Sequence, residues 1–244
     1  QAGDTGVIKT ESALFEVTAT GKTADGNILH VGRIVDGDGI SIGDKVKAEI
    51  NVKAREAAAR NHTAAHLLQA ALREKLGTHV EQAGQLVNSN EVRFDFTHFS
   101  ALTAEGLRDI EQRVNEIILS ALPVTSVEMP IAEAKKLGAM ALFGEKYGDV
   151  VRVVDMTVSV ELCGGTHLDN TAKVGLFRIK SEGSVASGVR RIEAITGKQT
   201  LAEIRRNQER IVRVAQMLKT TQAELESKLE AQIGELKDIK AKLE

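Results

Sequence analysis

Arg60-Asn61-His62-Thr63-Ala64-Ala65-His66 and Cys163-Gly164-Gly165-Thr166-His167 are the two stretches from which the rest of this chain can be read. The first lies in residues 53–76, rich in Ala, Leu, Arg and Glu and followed by Gly77, which predicts a helix with a glycine cap. At a spacing of four, His62 and His66 share one helix face. The second stretch follows a β-type run, and Gly164-Gly165 allow a tight turn with room for close approach. Taken alone, the histidine pair is weak, and a lone cysteine is commonly an inert buried thiol. Together the two stretches offer three imidazoles and one thiolate, a donor set suited to Zn²⁺, so His62, His66, Cys163 and His167 are the candidate metal ligands. The Glu of a helical H-E-x-x-H zinc protease is missing, which argues against peptide hydrolysis by that route.

Working outward, residues 7–52 alternate β-type runs (14–20, 28–35, 45–52) with turn signals at Asp25-Gly26-Asn27, Asp36-Gly37-Asp38-Gly39 and Gly43-Asp44, and the expectation is a small β-barrel over residues 1–52. Val92, Phe94 and Phe96 alternate with Arg93 and Asp95 as in a half-buried strand. Thr103 is placed to cap a helix running to about Ala121, with Leu107, Ile110, Val114 and Ile117 inward and Pro123 ending it. A strand over 124–129, a short helix over 131–137 and β-type runs at 150–155, 157–162, 174–181 and 188–196 complete an α/β domain over 53–197, its sheet mixed or antiparallel. The expected fold class is α+β.

From Leu201 onward, alternate steps of three and four meet apolar residues throughout, Gln208, Gln222 and Gln232 excepted, which is a heptad pattern. Residues 198–244 are therefore expected to form a coiled-coil-like segment, and a continuous helix of this length, about 65 Å at about 1.5 Å per residue, needs a partner helix. Gly234 is its soft point. The opening at Gln1 lacks an initiator Met and reads as starting mid-protein, and no stop signal precedes Glu244.

The chain has 244 residues, 42% hydrophobic and 27% charged, enough to bury a core. No apolar run of membrane-spanning length and no signal peptide is visible, and the single cysteine cannot form an internal disulfide, so a reducing, cytoplasmic setting is expected with no membrane contact. A net charge of −2 excludes a generally basic nucleic-acid binder, leaving local clusters as the means of holding a polyanion.

His62-x-x-x-His66, Gln82, Arg93-Phe94-Asp95-Phe96, Ala141-Leu142-Phe143-Gly144-Glu145-Lys146-Tyr147, Glu161-Leu162-Cys163-Gly164-Gly165-Thr166-His167 and Gly188-Val189-Arg190-Arg191-Ile192-Glu193 follow one another in an order and spacing that resembles the editing domain of alanyl-tRNA synthetases. Threonyl-tRNA synthetases carry a related domain with a poorer fit to these motifs. The tail resembles the start of the C-terminal region, which dimerises and helps hold tRNA. The resemblance implies a zinc-dependent deacylase that removes Ser or Gly from the tRNA meant for alanine, since a pocket sized for alanine excludes neither by bulk. It further implies polar substrate contacts from Thr63, Gln82 and Thr166, a water oriented by Gln82, and an oxyanion held by backbone N–H groups of Gly164 and Gly165.

Asp95, Glu161 or Asp169 would brace a ligand imidazole. Phosphate contacts are expected from Arg60, Arg93, Arg178, Lys180, Arg190, Arg191 and Lys198, and a homodimer through the C-terminal helix. Gln85 departs from the family pattern, standing where a small hydroxyl residue is common. No nucleotide-binding or adenylate-forming motif is visible, so tRNA charging is not expected of this segment. The alternatives are a non-catalytic zinc-stabilised tRNA-binding and dimerisation module, or a free-standing trans-editing relative.

Overall fold

The computed structural model describes residues 1–141 and 147–243. The Leu142-Phe143-Gly144-Glu145-Lys146 part of the fourth motif above lies outside the described residues. Two compact units are present, Gln1–Gly197 and Lys198–Glu244.

The first unit is α+β and wholly antiparallel in its sheets. Strands β1 (Gly6–Lys9), β2 (Leu14–Lys22), β3 (Ile28–Asp36) and β4 (Lys47–Ile50) pair in the order β3-β2-β1-β4. This corrects the expected small β-barrel: the sheet is open. β1 and β4 have four residues each, and β3 is exposed along its whole length with no strand among the described residues on its outer edge. Closure requires every edge to find a partner, and a four-stranded sheet with two such short members has none to offer. β1 itself was not among the expected strands.

Helix α1 (Val52–Leu76) is capped by Asn51, whose Oδ1 accepts the Ala54 N–H (3.1 Å). Gly77 follows at φ 113°, a positive value that suits glycine, with an extended ψ of 169° in place of a left-handed cap. The helix is buried through its middle, from Ala58 to Leu72, because sheet strands pack on one side and α2 (Ala104–Leu119) on another. Thr103 caps α2 as expected, its hydroxyl accepting the Gly106 N–H (3.0 Å), and Ile110, Val114, Ile117 and Ile118 face the core.

The second sheet runs β10-β11-β6-β5 (Phe177–Ala186, Val189–Thr196, Val92–Thr97, Gln82–Val87). Its register explains the Arg-Phe-Asp-Phe motif. Phe94 and Phe96 point inward and are fully buried, while Asp95 sits opposite Arg191 and accepts both prongs of its guanidinium (2.6 and 2.7 Å). The third sheet is β7-β8-β9 (Thr125–Pro130, Val150–Asp155, Val160–Leu162), with short α3 (Ile131–Lys136) beside it. It delivers Cys163 at the exit of β9.

In the second unit the expected continuous helix is interrupted. α4 (Gly197–Met217) and α5 (Leu225–Leu243) are separated by a turn in which Lys219 adopts φ 52° and the Thr220 N–H returns to the Ala215 carbonyl (3.0 Å). The Thr220 and Thr221 hydroxyls both donate to the Glu224 carboxylate (3.3 and 3.0 Å). These local bonds compete with helical ones, which ends one helix and starts the next despite the unbroken heptad. α5 passes through Gly234 without a break, and Leu201, Ile204, Ile211, Leu229, Leu236, Ile239 and Leu243 of the seam are exposed.

Candidate metal centre and adjoining clefts

His62 and His66 lie one turn apart on α1, and the β8–β9 hairpin brings the Cys163–His167 loop onto the same face. One ligand atom from each of His62, His66, Cys163 and His167 falls within 4.8 Å of every other. Cys163 Sγ is 3.5 Å from His62 Nε2 and 3.2 Å from His167 Nε2. A tetrahedral ion with bonds of about 2.3 Å to sulfur and about 2.0–2.1 Å to nitrogen sets sulfur–nitrogen edges of about 3.5 Å, so this part of the cluster already has the required span. His167 Nδ1 is a buried atom with no hydrogen-bond partner among the described residues. The donor set fits a borderline-soft divalent ion.

Each imidazole is held differently. His66 Nδ1–H donates to Glu161 Oε2 (2.9 Å), which leaves Nε2 for the cluster, and Glu161 in turn takes the Ser159 hydroxyl. Of the three acidic residues considered as braces, Glu161 is therefore the one in place. Asp95 is committed to Arg191 and Asp169 to Lys173. His62 Nδ1–H donates to Gln1 Oε1 (2.8 Å), which fixes the tautomer and turns the Nε2 lone pair toward Cys163. The Gln85 amide donates to that same Nε2 (3.0 Å), so an ion and Gln85 compete for one lone pair.

Burial and the neighbouring His66 push the His62 pKa down to about 3, and the same two causes depress His167 well below the usual imidazole range. Both therefore present neutral rings at neutral pH. Burial also works against charge on His66, but Glu161 and Cys163 outweigh it and raise its pKa to about 10.

The loop is built around His62. A Cβ on Gly165 would lie 2.0 Å from His62 Cε1 and 2.2 Å from Nδ1, whereas one on Gly164 would meet nothing within 4 Å. Only the second glycine is required by the ring that rests on it. Arg152, which no motif or spacing singles out, donates to the carbonyls of Cys163 (3.0 Å) and Gly165 (2.5 Å) and to Ser126 Oγ (2.9 Å), fastening the loop to its sheet. Thr63 is fully enclosed, and its hydroxyl accepts the Leu168 N–H (3.1 Å), tying the loop to α1.

Two clefts flank the cluster. A cavity of about 210 Å³ is lined by Gln69, Arg73, Glu81, Gln82, Met140 and Glu161 among others, so Gln82 opens onto the Glu161–His66 side. A larger one of about 500 Å³ takes in Gly164, Gly165 and Thr166 together with strands of the open sheet, on the His62 side. Gln82 thus shares a cleft with Glu161, the partner of His66, while the two glycines line a separate cleft next to Cys163.

The basic residues considered for phosphate contact differ in their local partners. Arg190 and Arg191 are clasped in two-pronged pairs by Glu182 and Asp95, and Lys180 lies 3.5 Å from Glu91. Arg60 donates to the Lys173 carbonyl (3.2 Å), and Arg93 keeps a buried Nε without a partner. Arg178 is part-buried on β10, and Lys198 belongs to the second unit.

Residues 151–193, which include the cysteine-bearing loop, match the threonyl and alanyl tRNA synthetase second additional domain. Along its whole length the chain is 49% identical to the alanine–tRNA ligase of Acetivibrio thermocellus over 245 residues and 50% identical to that of Clostridioides difficile over 244. The chain belongs with the alanine–tRNA ligases. The ligase of Acidithiobacillus ferridurans, 48% identical, is likewise matched over 100% of this chain. The chain spans 28% of the length of each of these ligases. No helix among the described residues is long and apolar enough to cross a membrane.

Proposed function

We propose that this alanine–tRNA ligase segment hydrolyses the ester joining serine or glycine to the tRNA meant for alanine. The observation that carries the reading is the convergence of His62, His66, Cys163 and His167 between two clefts, in a chain homologous throughout to ligases that charge tRNA with alanine. In this reading the amino-acid end of the substrate enters the smaller cleft, and the terminal ribose lies along Gly164, Gly165 and Thr166.

His62, His66, Cys163 and His167 would hold Zn²⁺, which when bound supplies a Lewis-acidic anchor joining α1 to the loop. Gln82 orients a water against the ester. Gly165 N–H is turned to Cys163 Sγ (3.5 Å), so of the glycine pair the exposed Gly164 is assigned the developing oxyanion. Thr63 acts by fixing the loop, and Thr166 faces the ribose. An aminoacyl ester is intrinsically labile, so positioning and charge stabilisation account for much of the acceleration asked of the site. Residues 1–52 act as an accessory sheet to the 53–197 domain. Basic residues position the tRNA backbone, Arg60, Arg93, Arg178, Lys180 and Lys198 foremost because, among the described residues, no carboxylate clasps them in a two-pronged pair as Glu182 and Asp95 clasp Arg190 and Arg191. The exposed seam of residues 198–244 is assigned to a homodimer contact.

The test is deacylation of Ser-, Gly- and Ala-charged tRNA, with and without chelator, alongside zinc content for wild type and Cys163→Ala. Hydrolysis of the first two and not the third, lost with the metal, is expected. A protein that binds tRNA and zinc but hydrolyses none of them is the non-catalytic module that a closed four-ligand site also permits.

A further inference from the structure

Gln69 lies one helical turn beyond His66 on α1 and is 5% exposed. Among the described residues its Nε2 makes only a long contact with Met140 Sδ (3.9 Å), and its Oε1 is buried with no partner. The same side chain lines the cleft of about 210 Å³ shared with Gln82 and Glu161. Leaving an amide oxygen unpaired away from solvent is unfavourable, so an enclosed acceptor facing a cavity beside a reactive cluster is a feature that a ligand donor would complete. The volume is below the roughly 300–1,000 Å³ of pockets for drug-sized ligands, which restricts the occupant to something small.

The remaining question is which donor. Of the charged residues lining the same cleft, Glu161 is already taken by His66 and Ser159 and the Arg73 guanidinium by the Thr78 and Val80 carbonyls, which leaves the Glu81 carboxylate to attract a cationic amine. A neutral amide oxygen has no such pull and suits a neutral donor at the far end of the occupant. We propose that Gln69 is the residue that recognises the substrate hydroxyl: its Oε1 accepts from the serine side chain of a seryl ester, and has no counterpart to meet on glycine or alanine. This rests on the hydrolytic reading above and adds to it a specificity-determining residue that reads chemistry where size alone discriminates poorly.

The experiment compares wild type, Gln69→Met, which keeps the shape and removes the acceptor, and Gln69→Glu, which keeps an acceptor oxygen. Deacylation of Ser-tRNA and Gly-tRNA is measured for each, with zinc content and melting temperature as controls on folding. Gln69→Met is expected to lower kcat/KM for the seryl substrate by about tenfold to a hundredfold, the range for losing one buried hydrogen bond, and to change the glycyl value less than about threefold; Gln69→Glu retains most of the seryl preference.

Equal losses on both substrates, or no loss on either, would overturn the assignment. Absence of hydrolysis by wild type would instead sink the underlying reading. Should the methionine variant not fold, the wild-type protein still decides the matter through the side-chain amide resonance of Gln69. Non-hydrolysable 3′-serylamino-adenosine shifts that resonance and the glycyl analogue does not; identical shifts reject the proposal.

Discussion

Adding one methyl group at Gly165 tests the geometry of the whole centre. In Gly165→Ala the new Cβ would lie 2.0 Å from His62 Cε1, while two carbons in ordinary contact need about 3.5 Å. The imidazole or the loop must therefore yield by about 1.5 Å. His62 is 3% exposed and pinned by Gln1 and Gln85, and the loop is fastened by Arg152 and Thr63, so neither yields without breaking those contacts. A metal ligand tolerates about 0.2 Å, and overpacking of this kind costs about 1–3 kcal/mol in folding.

The expected result is at least the roughly 10- to 100-fold loss of zinc affinity seen when a ligand's support is disturbed, with deacylation falling in parallel. Gly164→Ala is the matched control, because its methyl meets nothing within 4 Å and its N–H is retained. Zinc competition with a chromophoric chelator, read beside deacylation of Ser-tRNA, separates the two variants. Equal zinc affinity and equal rates for both would refute the placement of His62 against the second glycine.

Replacing Glu161 by Gln removes the charge bracing His66 Nδ1 and should weaken zinc binding by about 10- to 100-fold without abolishing it, measured by the same competition. Arg152→Met frees the Cys163 and Gly165 carbonyls, and hydrogen exchange of residues 163–168 should accelerate while that of α1 stays slow; uniform protection would show that the guanidinium does not hold the loop.

For metal-free protein, His66 with its pKa raised to about 10 contributes stability that is complete below about 6.5 and lost as pH rises toward 10, whereas His62, lowered to about 3, contributes above about 6.5 and loses it as pH falls toward 3. Urea midpoints across both windows check this, and His66→Asn should flatten the alkaline limb and also soften the acid one, since His66 accounts for part of the His62 depression. Zinc uptake near neutral pH should release the His66 proton, seen as buffer-dependent heats in calorimetry. Truncation after residue 197 is expected to leave zinc content unchanged and to shift any dimer seen by sedimentation to monomer, since the exposed heptad seam lies in the removed unit.

What the sequence determined by itself was whatever depends on local periodicity or on donor chemistry. The Thr103 cap, the alternation that buries Phe94 and Phe96, the edges of β8 and the two motifs whose His and Cys residues cluster all follow from which residues stand two, three or four places apart. What depends on residues meeting across the chain needed the tertiary structure. The choice of Glu161 over Asp95 and Asp169 turns on which carboxylate the sheets carry to His66, and the identical side-chain chemistry of the three gives no hint of it.

Arg152 and Gln69 were invisible for the same reason. A strand arginine and a helix glutamine look like surface residues until a loop carbonyl or a cleft is placed against them. The open sheet and the broken C-terminal helix mark the opposite limit. Local pattern allowed a barrel and an unbroken heptad, but closure is decided by whether a last edge finds a partner, and helix continuity by whether Thr220 and Thr221 bond Glu224 in preference to the helix.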